Sequence, residues 1–222
     1  MKRCSGVWIG LDMIIAIDTA VGTAVSAAEA TSITNGQSCN RDQDRYRCPF
    51  CGNPVAVVDT PCTSFDHTHG EDCTADSNVS TEHRRGQQAV AKEVINRLPV
   101  SWSEIEIDLE RRVNQGAQFV ISDVLVTAPV RLSIEVVVTH AEMSPRRRLQ
   151  ILSDSGYCAT FVLMTTSPVS ATDVVQQLQP FGAADVGYCA PDVQTVEFGT
   201  VIKPSDVSMT ALRHETAGTQ FS

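Results

Sequence analysis

A cluster of cysteine and histidine residues between positions 48 and 73 constrains the fold more than any other feature of the sequence. This short segment holds four of the eight cysteines and two of the five histidines. In chain order, the six candidate ligands are Cys48, Cys51, Cys62, His67, His69 and Cys73. A disulfide framework spreads its cysteines along a chain, whereas tetrahedral zinc takes closely spaced thiolate and imidazole ligands. The spacing therefore predicts a zinc site in this segment.

The predicted zinc site is structural, because four protein ligands leave no open position for water. Cys48 and Cys51 supply two thiolates from one turn, and the second pair comes from His69 and Cys73. The alternates for the second pair are His67 and Cys62. Residues 48–79 show little apolar periodicity, so we expect this module to need its metal in order to fold.

The N-terminal residues permit two interpretations, a signal peptide or a pair of strands. A basic start and the apolar stretch Gly6–Ile17 are typical of a signal peptide, which would allow a secreted, disulfide-bonded protein. Asp12 lies inside that stretch, however, and a carboxylate there is costly for insertion into a membrane. We therefore favour a hairpin of two strands, Met13–Ile17 and Thr23–Ser26, and a cytoplasmic location in which thiols stay reduced.

Length and charge limit the classes of partner. A chain of 222 residues makes one medium domain or two small ones, and its 42% hydrophobic and 19% charged residues are typical of globular proteins. The formal net charge of −9 excludes a general basic field. Any nucleic-acid partner must therefore meet a local basic patch, and we expect no membrane partner.

The pattern from residue 80 onward predicts an α/β (α+β) fold with a mixed sheet flanked by helices. Ser80 is a good N-cap for the first helix, and Ser144 followed by Pro145 has the same role for the second. In order, the predicted elements are helix Ser80–Leu98, strands Glu104–Leu109, Phe119–Val126 and Leu132–His140, helix Arg146–Ser155, strand Cys158–Met164, helix Ser170–Gln179 and strand Thr195–Ile202.

Four regions follow from this pattern. They are a β-hairpin segment at residues 1–40, a zinc-binding module at 41–79, the α/β domain at 80–204 and a flexible tail at 205–222.

Two acidic residues lie among strand-forming apolar residues, where an unpaired carboxylate is expensive. A hairpin centred on Pro129 sets Asp123 opposite Glu135, and cross-strand neighbours have Cβ atoms about 4.5–5.5 Å apart. Two carboxylates at that separation repel each other unless a cation lies between them. The pair therefore predicts a site for Mg²⁺ or Mn²⁺, which would also take the carbonyl oxygen of Val136.

Three consecutive arginines, Arg146–Arg148, begin the helix that follows the strand of Glu135. They favour an anion site on a chain that is otherwise acidic. The alternatives are a solvated face, or ion pairs in which these arginines or Arg131 neutralise the two acids. A metal-bound carboxylate pair beside cations is the usual equipment for phosphodiester hydrolysis.

The order and spacing of these motifs resemble the competence protein CoiA-like family over residues 13–165. Five segments carry the resemblance: Arg47–Val55, His67–Cys73, Ser80–His83, Ser122–Val124 and Ile134–His140. Proteins of that family pair an N-terminal zinc-binding module with a PD-(D/E)xK nuclease-like domain. The resemblance implies a restriction-endonuclease-like core, DNA as the partner, single-stranded DNA included, and phosphodiester hydrolysis with Mg²⁺ or Mn²⁺.

The resemblance also assigns roles to individual residues. Asp123 and Glu135 would be the metal-binding acids of the core. The further site residues that it implies are Glu82, His83, His140 and Arg146.

One position departs from the family pattern. A PD-(D/E)xK site has a lysine two residues after its glutamate, and this chain has Val137 there. A basic residue of the following helix could substitute, but an arginine stays protonated, so it can hold phosphate and cannot act as a base. The alternative function is therefore a catalytically impaired nuclease fold that binds nucleic acid or a partner without turnover.

Overall fold

The computed structural model of the chain describes residues 13–33, 45–59, 63–68, 73, 79–139, 143–190 and 195–207. The chain divides into two compact units, Met1–Ile107 and Asp108–Ser222, and the described residues form two sheets. The fold class is mixed α/β, as the sequence predicts. Among the described residues, no helix is both long and apolar enough to cross a membrane.

The N-terminal unit contains a sheet with the strand order β2-β1-β3-β4-β5, in which neighbours are antiparallel. The strands are β1 (Ile15–Asp18), β2 (Thr23–Ser26), β3 (Tyr46–Arg47), β4 (Pro54–Asp59) and β5 (Thr63–His67). The predicted hairpin of β1 and β2 is confirmed, with Ile17 opposite Ala24. Asp18, which ends β1, is buried and pairs with Arg45 at 2.8 Å.

Two helices accompany this sheet, α1 (Ala27–Ile33) and α2 (Thr81–Arg97). The predicted N-cap of α2 is confirmed, because the Ser80 hydroxyl accepts a hydrogen bond from the backbone N–H of His83. The amide side chain of Asn96 bonds both the N–H and the C=O of Ala24 on β2, at 2.8 and 2.9 Å. Gln88 accepts the N–H of Ile14 in the same way at 2.6 Å.

These side-chain bonds attach α2 to the N-terminal hairpin. The division between the units therefore falls after Ile107, whereas the predicted boundary falls before residue 80. The sequence pattern gave no sign of this attachment, because Gln88 and Asn96 act through amide groups and helical periodicity records only apolar positions.

The core of the N-terminal unit lies beneath the cysteine cluster. Cys48 is fully buried within it, and the rings of Tyr46 and Phe65 lie 5.3 Å apart. The other buried members of this core are Met13, Ala16, Val25, Ala27, Ala30 and Val55. A metal bound at the cluster would thus close one side of a small apolar core.

The C-terminal unit contains a mixed sheet with the strand order β11-β10-β9-β8-β7-β6. The strands are β6 (Glu106–Gln115), β7 (Gln118–Ala128), β8 (Leu132–Val137), β9 (Cys158–Met164), β10 (Gly187–Ala190) and β11 (Thr195–Glu197). β7 and β8 are antiparallel, β8, β9 and β10 are parallel, and β10 and β11 are antiparallel. The predicted mixed sheet is confirmed, and β10 is an additional strand.

Helices α3 (Pro145–Asp154) and α4 (Ala171–Leu178) belong to the C-terminal unit. Ser144 caps α3 and Pro145 occupies its first turn, as predicted. Leu149, Ile151 and Leu152 of α3 are buried in a core with Phe161 of β9. Since α3 connects the parallel strands β8 and β9, it extends from the end of β8 over one face of the sheet.

Two predicted elements are shorter than expected. The strand expected to end at His140 ends at Val137, and His140 itself lies outside the described residues. The strand expected over Thr195–Ile202 ends at Glu197, because Ile202 instead forms an isolated bridge with Ala159. Of the predicted tail, residues 208–222 also lie outside the described part of the chain.

Candidate functional site

Four predicted ligands of the N-terminal unit converge. The donor atoms of Cys48, Cys51, His67 and Cys73 all lie within 4.8 Å of one another. The Sγ atoms of Cys48 and Cys73 are 3.7 Å apart, and Cys51 Sγ is 3.2 Å from His67 Nε2. Two thiolates bound to one zinc at about 2.3 Å with tetrahedral angles lie about 3.8 Å apart. The spacing of the donors therefore fits a tetrahedral zinc ion.

A tight turn between β3 and β4 presents the first two thiols. The N–H of Gly52 donates to the C=O of Cys48 at 2.9 Å, and Gly52 adopts a positive φ of 73°, which glycine tolerates best. The N–H of Phe50 points at Cys48 Sγ at 3.4 Å. Such N–H donors stabilise a thiolate, so the turn is built to hold a charged sulfur.

The structure brings together Cys48, Cys51 and Cys73 of the predicted set with the alternate ligand His67. His67 is the last residue of β5, where pairing with Val55 fixes its position. The preferred histidine, His69, and the alternate Cys62 lie outside the described residues. The five described cysteines, Cys48, Cys51, Cys73, Cys158 and Cys189, are free thiols.

The thiols repel one another electrostatically once they ionise. The hydrogen bond with Cys73 and burial raise the pKa of Cys48, and burial raises the pKa of Cys51 although the N–H of Asn53 lowers it. Without a cation, this group therefore holds its protons. Zinc displaces such protons when it binds, so the donor set fits a resident zinc ion.

In the C-terminal unit, the two predicted acids lie where β7 and β8 separate. The ladder between these strands ends at the pair Val124 and Ile134, which is the predicted register. Asp123 is the next residue of β7, and its Oδ2 accepts the backbone N–H of Val136 at 2.7 Å. The backbone of β8 thus offers this carboxylate an N–H, whereas the sequence predicted that the carbonyl of Val136 would join a metal.

The side-chain alternation of β7 is interrupted beside Asp123. Ser133 lies opposite Leu125 and shares its face of the sheet, yet Ser133 also contacts Ser122, three residues before Leu125. Strict alternation would set Ser122 and Leu125 on opposite faces. An interruption of this kind re-aims a side chain, and here it turns Asp123 toward the backbone of β8.

Glu135 is enclosed by a buried polar network. Its Oε1 accepts the hydroxyl of Ser133 at 2.7 Å, and the hydroxyls of Ser133 and Ser122 are 2.6 Å apart. Its Oε2 forms an ion pair with the guanidinium of Arg148 from α3. Arg148 also donates to the C=O of Ile121. Glu135 is 1% exposed, so both oxygens face protein donors.

Burial and charge oppose each other in this network. Burial raises the pKa of Glu135 more than the positive charge of Arg148 lowers it, and the nearby Asp123 raises it further. For Arg148, burial lowers the pKa, but the carboxylates of Glu135, Asp123 and Glu110 raise it by more. The guanidinium is therefore charged and stands among three acids.

Glu110 is a member of this acidic group that the sequence did not single out. It lies on β6 with a φ of 53°, a left-handed conformation that is uncommon for residues other than glycine. Its carboxylate lies within 4.8 Å of a carboxylate oxygen of Asp123. No sequence pattern marks such a conformation at a glutamate inside a strand.

The other predicted site residues within the described part of the chain lie on the helices α2 and α3. The guanidinium of Arg146 lies over the ring of Phe181 at 5.6 Å, so Arg148 and not Arg146 contacts Glu135. Glu82 and His83 occupy the first turn of α2 in the N-terminal unit, where Gln87 Nε2 lies 3.4 Å from His83 Nε2.

The chain matches no known family model, and no curated protein and no solved structure matches it.

Proposed function

We propose that the chain is a metal-dependent, nuclease-like protein that hydrolyses DNA phosphodiesters and carries a structural zinc ion. The observation that carries this proposal is the position of Asp123 and Glu135 on neighbouring antiparallel strands, with Arg148 beside them from the next helix. Acids on adjacent strands with a basic neighbour are the equipment that phosphoryl chemistry requires.

The order of elements supports a PD-(D/E)xK-like core. Helix α2 precedes the consecutive strands β6, β7 and β8, and α3 then leads to β9, which is parallel to β8. The sequence pattern predicts this same order of helix, three strands, helix and strand, and the family resemblance implies a core of this type.

The acids and the arginine would divide the work between them. Asp123 and Glu135 would hold Mg²⁺ or Mn²⁺, which supplies an activated water and neutralises developing charge when bound. Arg148 would hold a phosphate oxygen through its planar fork of donors. Where the family has its water-orienting lysine, this chain has Val137, which is apolar and cannot orient a water molecule.

The zinc ion would have a structural role in the N-terminal unit. Cys48, Cys51, His67 and Cys73 come from three separate segments, and one ion would join them above the core. Four protein donors leave no position for substrate, so the zinc site would not take part in hydrolysis.

A second candidate function rests on the enclosure of Glu135. Both of its oxygens have protein donors, and the residue is 1% exposed. A protein that retained the fold but lost turnover would have such a self-neutralised site. In that case the chain binds nucleic acid or a protein partner and does not cleave it.

Cleavage assays with matched variants separate the two functions. The zinc-loaded chain is incubated with plasmid and with single-stranded DNA in Mn²⁺, beside Glu135→Ala and the control Asp154→Ala. Asp154 is an exposed acid of α3 whose carboxylate bonds Gln150. We expect cleavage by the wild type and the control, and a loss of roughly a hundredfold or more in Glu135→Ala. Equal activity in all three, or none in any, would reject the enzyme.

A further inference from the structure

We propose that Arg148 and a divalent metal ion exchange places on Glu135, and that the displaced guanidinium then binds the substrate phosphate. This inference rests on the proposed function, because it concerns the same two acids. It adds that metal and phosphodiester bind cooperatively, with Arg148 as the residue that couples them.

The first step concerns the oxygen of Glu135 that faces Ser133. Ser133 and Ser122 are both fully buried, and their hydroxyls form a continuous chain to Oε1 with distances of 2.6 and 2.7 Å. The Ser122 hydroxyl also reaches the C=O of Val124 at 3.2 Å. A chain of satisfied, buried hydroxyls is costly to break, so Oε1 is fixed in place.

The second step concerns the other oxygen. Oε2 is paired with Arg148, whose side chain is 19% exposed, while that of Glu135 is 2% exposed. Part of the Arg148 side chain is therefore in contact with solvent, whereas the carboxylate of Glu135 is not. Among the described residues, it is the departure of Arg148 that would open Oε2 of Glu135 to a cation.

The third step is electrostatic. A guanidinium and a divalent ion on one carboxylate oxygen would repel each other, and burial strengthens that repulsion. Once the metal replaces Arg148, the guanidinium needs a new anion. A phosphodiester held at the same metal is such an anion, and arginine binds phosphate through two parallel hydrogen bonds.

Coupling follows from this exchange. DNA draws Arg148 away from Glu135 and so makes metal binding easier, and by linkage the metal must strengthen DNA binding by the same factor. Without DNA, Arg148 stays paired with Glu135, and the site therefore binds little metal.

Mn²⁺ titrations followed by electron paramagnetic resonance test the exchange. Wild type and Arg148→Gln are titrated with and without a phosphorothioate oligonucleotide, which keeps its charge and resists cleavage. Without DNA, we expect Arg148→Gln to bind Mn²⁺ about tenfold or more tightly than the wild type. With DNA, Mn²⁺ affinity should rise by a clearly larger factor in the wild type than in the variant, which keeps only the direct contact between metal and phosphate.

A matched control is Arg131→Gln, because Arg131 is an exposed arginine of the same unit that lies 4.3 Å from the ring of Tyr157. It should keep the wild-type affinity and coupling. If Arg148→Gln does not fold, Arg148→Lys replaces it, since a single ammonium holds Oε2 less firmly and should also admit Mn²⁺ more readily.

Equal or weaker Mn²⁺ binding by the folded Arg148 variant would overturn the exchange, as would coupling to DNA as strong in the variant as in the wild type. Absence of Mn²⁺ binding in every protein would also overturn it. Tighter Mn²⁺ binding by the variant, together with no DNA cleavage by the wild type, would support the exchange and reject the nuclease.

Discussion

The two units of the chain each gather groups that carry negative charge, but they differ in the source of the compensating cation. In the N-terminal unit, three thiols and an imidazole converge, and their spacing fits a zinc ion. In the C-terminal unit, Glu135 already pairs with Arg148. The comparison teaches that convergence of ligands is not sufficient for a resident metal, because a protein cation can occupy the same position.

Loss of zinc from the N-terminal unit should lower stability more than any change to the acids of the C-terminal unit. Cys48→Ser removes a buried ligand, and a structural zinc ion contributes much of the folding free energy of a small module. We expect the N-terminal unit to lose its cooperative unfolding transition, as it should when a strong chelator removes the metal. Calorimetry measures this, with Cys158→Ser as a control outside the cluster. A variant as stable as the control would contradict a structural zinc site.

Separation of the buried ion pair should have the next largest effect. Arg148→Met leaves Glu135 buried without its cation, which typically costs about 3–5 kcal/mol of unfolding free energy. The double variant Glu135→Leu with Arg148→Met should recover part of that loss, since the buried charge of Glu135 is gone while Asp123 and Glu110 still lose the guanidinium. Urea denaturation measures both. If the losses of unfolding free energy in Arg148→Met and in Glu135→Leu simply add in the double variant, the two residues are not coupled.

The pH dependence of stability should reveal the buried acid. Because burial raises the pKa of Glu135, the folded state holds this proton more tightly than the unfolded state. Its contribution to stability is complete below about pH 4.3, the ordinary glutamate value, and is lost as pH rises through the folded value. The unfolding free energy of the wild type should therefore fall with pH relative to Glu135→Gln. If the unfolding free energy of the wild type instead rises with pH relative to Glu135→Gln, the pKa of Glu135 is lowered by folding and the prediction is wrong.

The smallest effect should come from Glu29 in the N-terminal unit, and its sign is opposite. Burial raises the pKa of Glu29, but hydrogen bonds from Lys92 and Ser26 lower it by more. Its contribution is present above the ordinary glutamate pKa and is lost as pH falls through the folded value. Since Glu29 is 53% exposed, we expect about 0.5 kcal/mol or less. Denaturation of the wild type and Glu29→Gln at about pH 3 and about pH 7, on either side of the ordinary glutamate pKa, would detect a reversed sign.

Elements with strong punctuation could be predicted from the sequence. Ser80 and Ser144 mark the starts of α2 and α3, and the apolar run Cys158–Met164 is β9 residue for residue. Local rules sufficed there, because capping and apolar periodicity act within a few residues.

Elements whose stability comes from elsewhere were missed. Strands β4 and β5 lie in the segment that shows little apolar periodicity, and they form because five antiparallel strands and a shared core hold them. Helix α1 starts at Ala27, where no helix was predicted. Neither signal is local, so periodicity alone could not supply it.

The candidate site was predicted in outline. The register of β7 and β8 followed from the turn at Pro129, but the ladder ends at Val124 and Ile134, just before Asp123 and Glu135. Arg148 could have been preferred to Arg146, because it precedes the buried Ile151 and Leu152 by three and four residues and so shares their side of α3. The role of the buried Ser122 and Ser133 could not be predicted, because it depends on a contact between two strands.

The metal content of the intact chain tests the contrast between the two units most directly. Native mass spectrometry of the reduced protein, without DNA, should show one zinc ion in the wild type and in Glu135→Ala, and none in Cys48→Ser. Zinc retained by Cys48→Ser and lost from Glu135→Ala would contradict the account, because the metal would then reside at the acids.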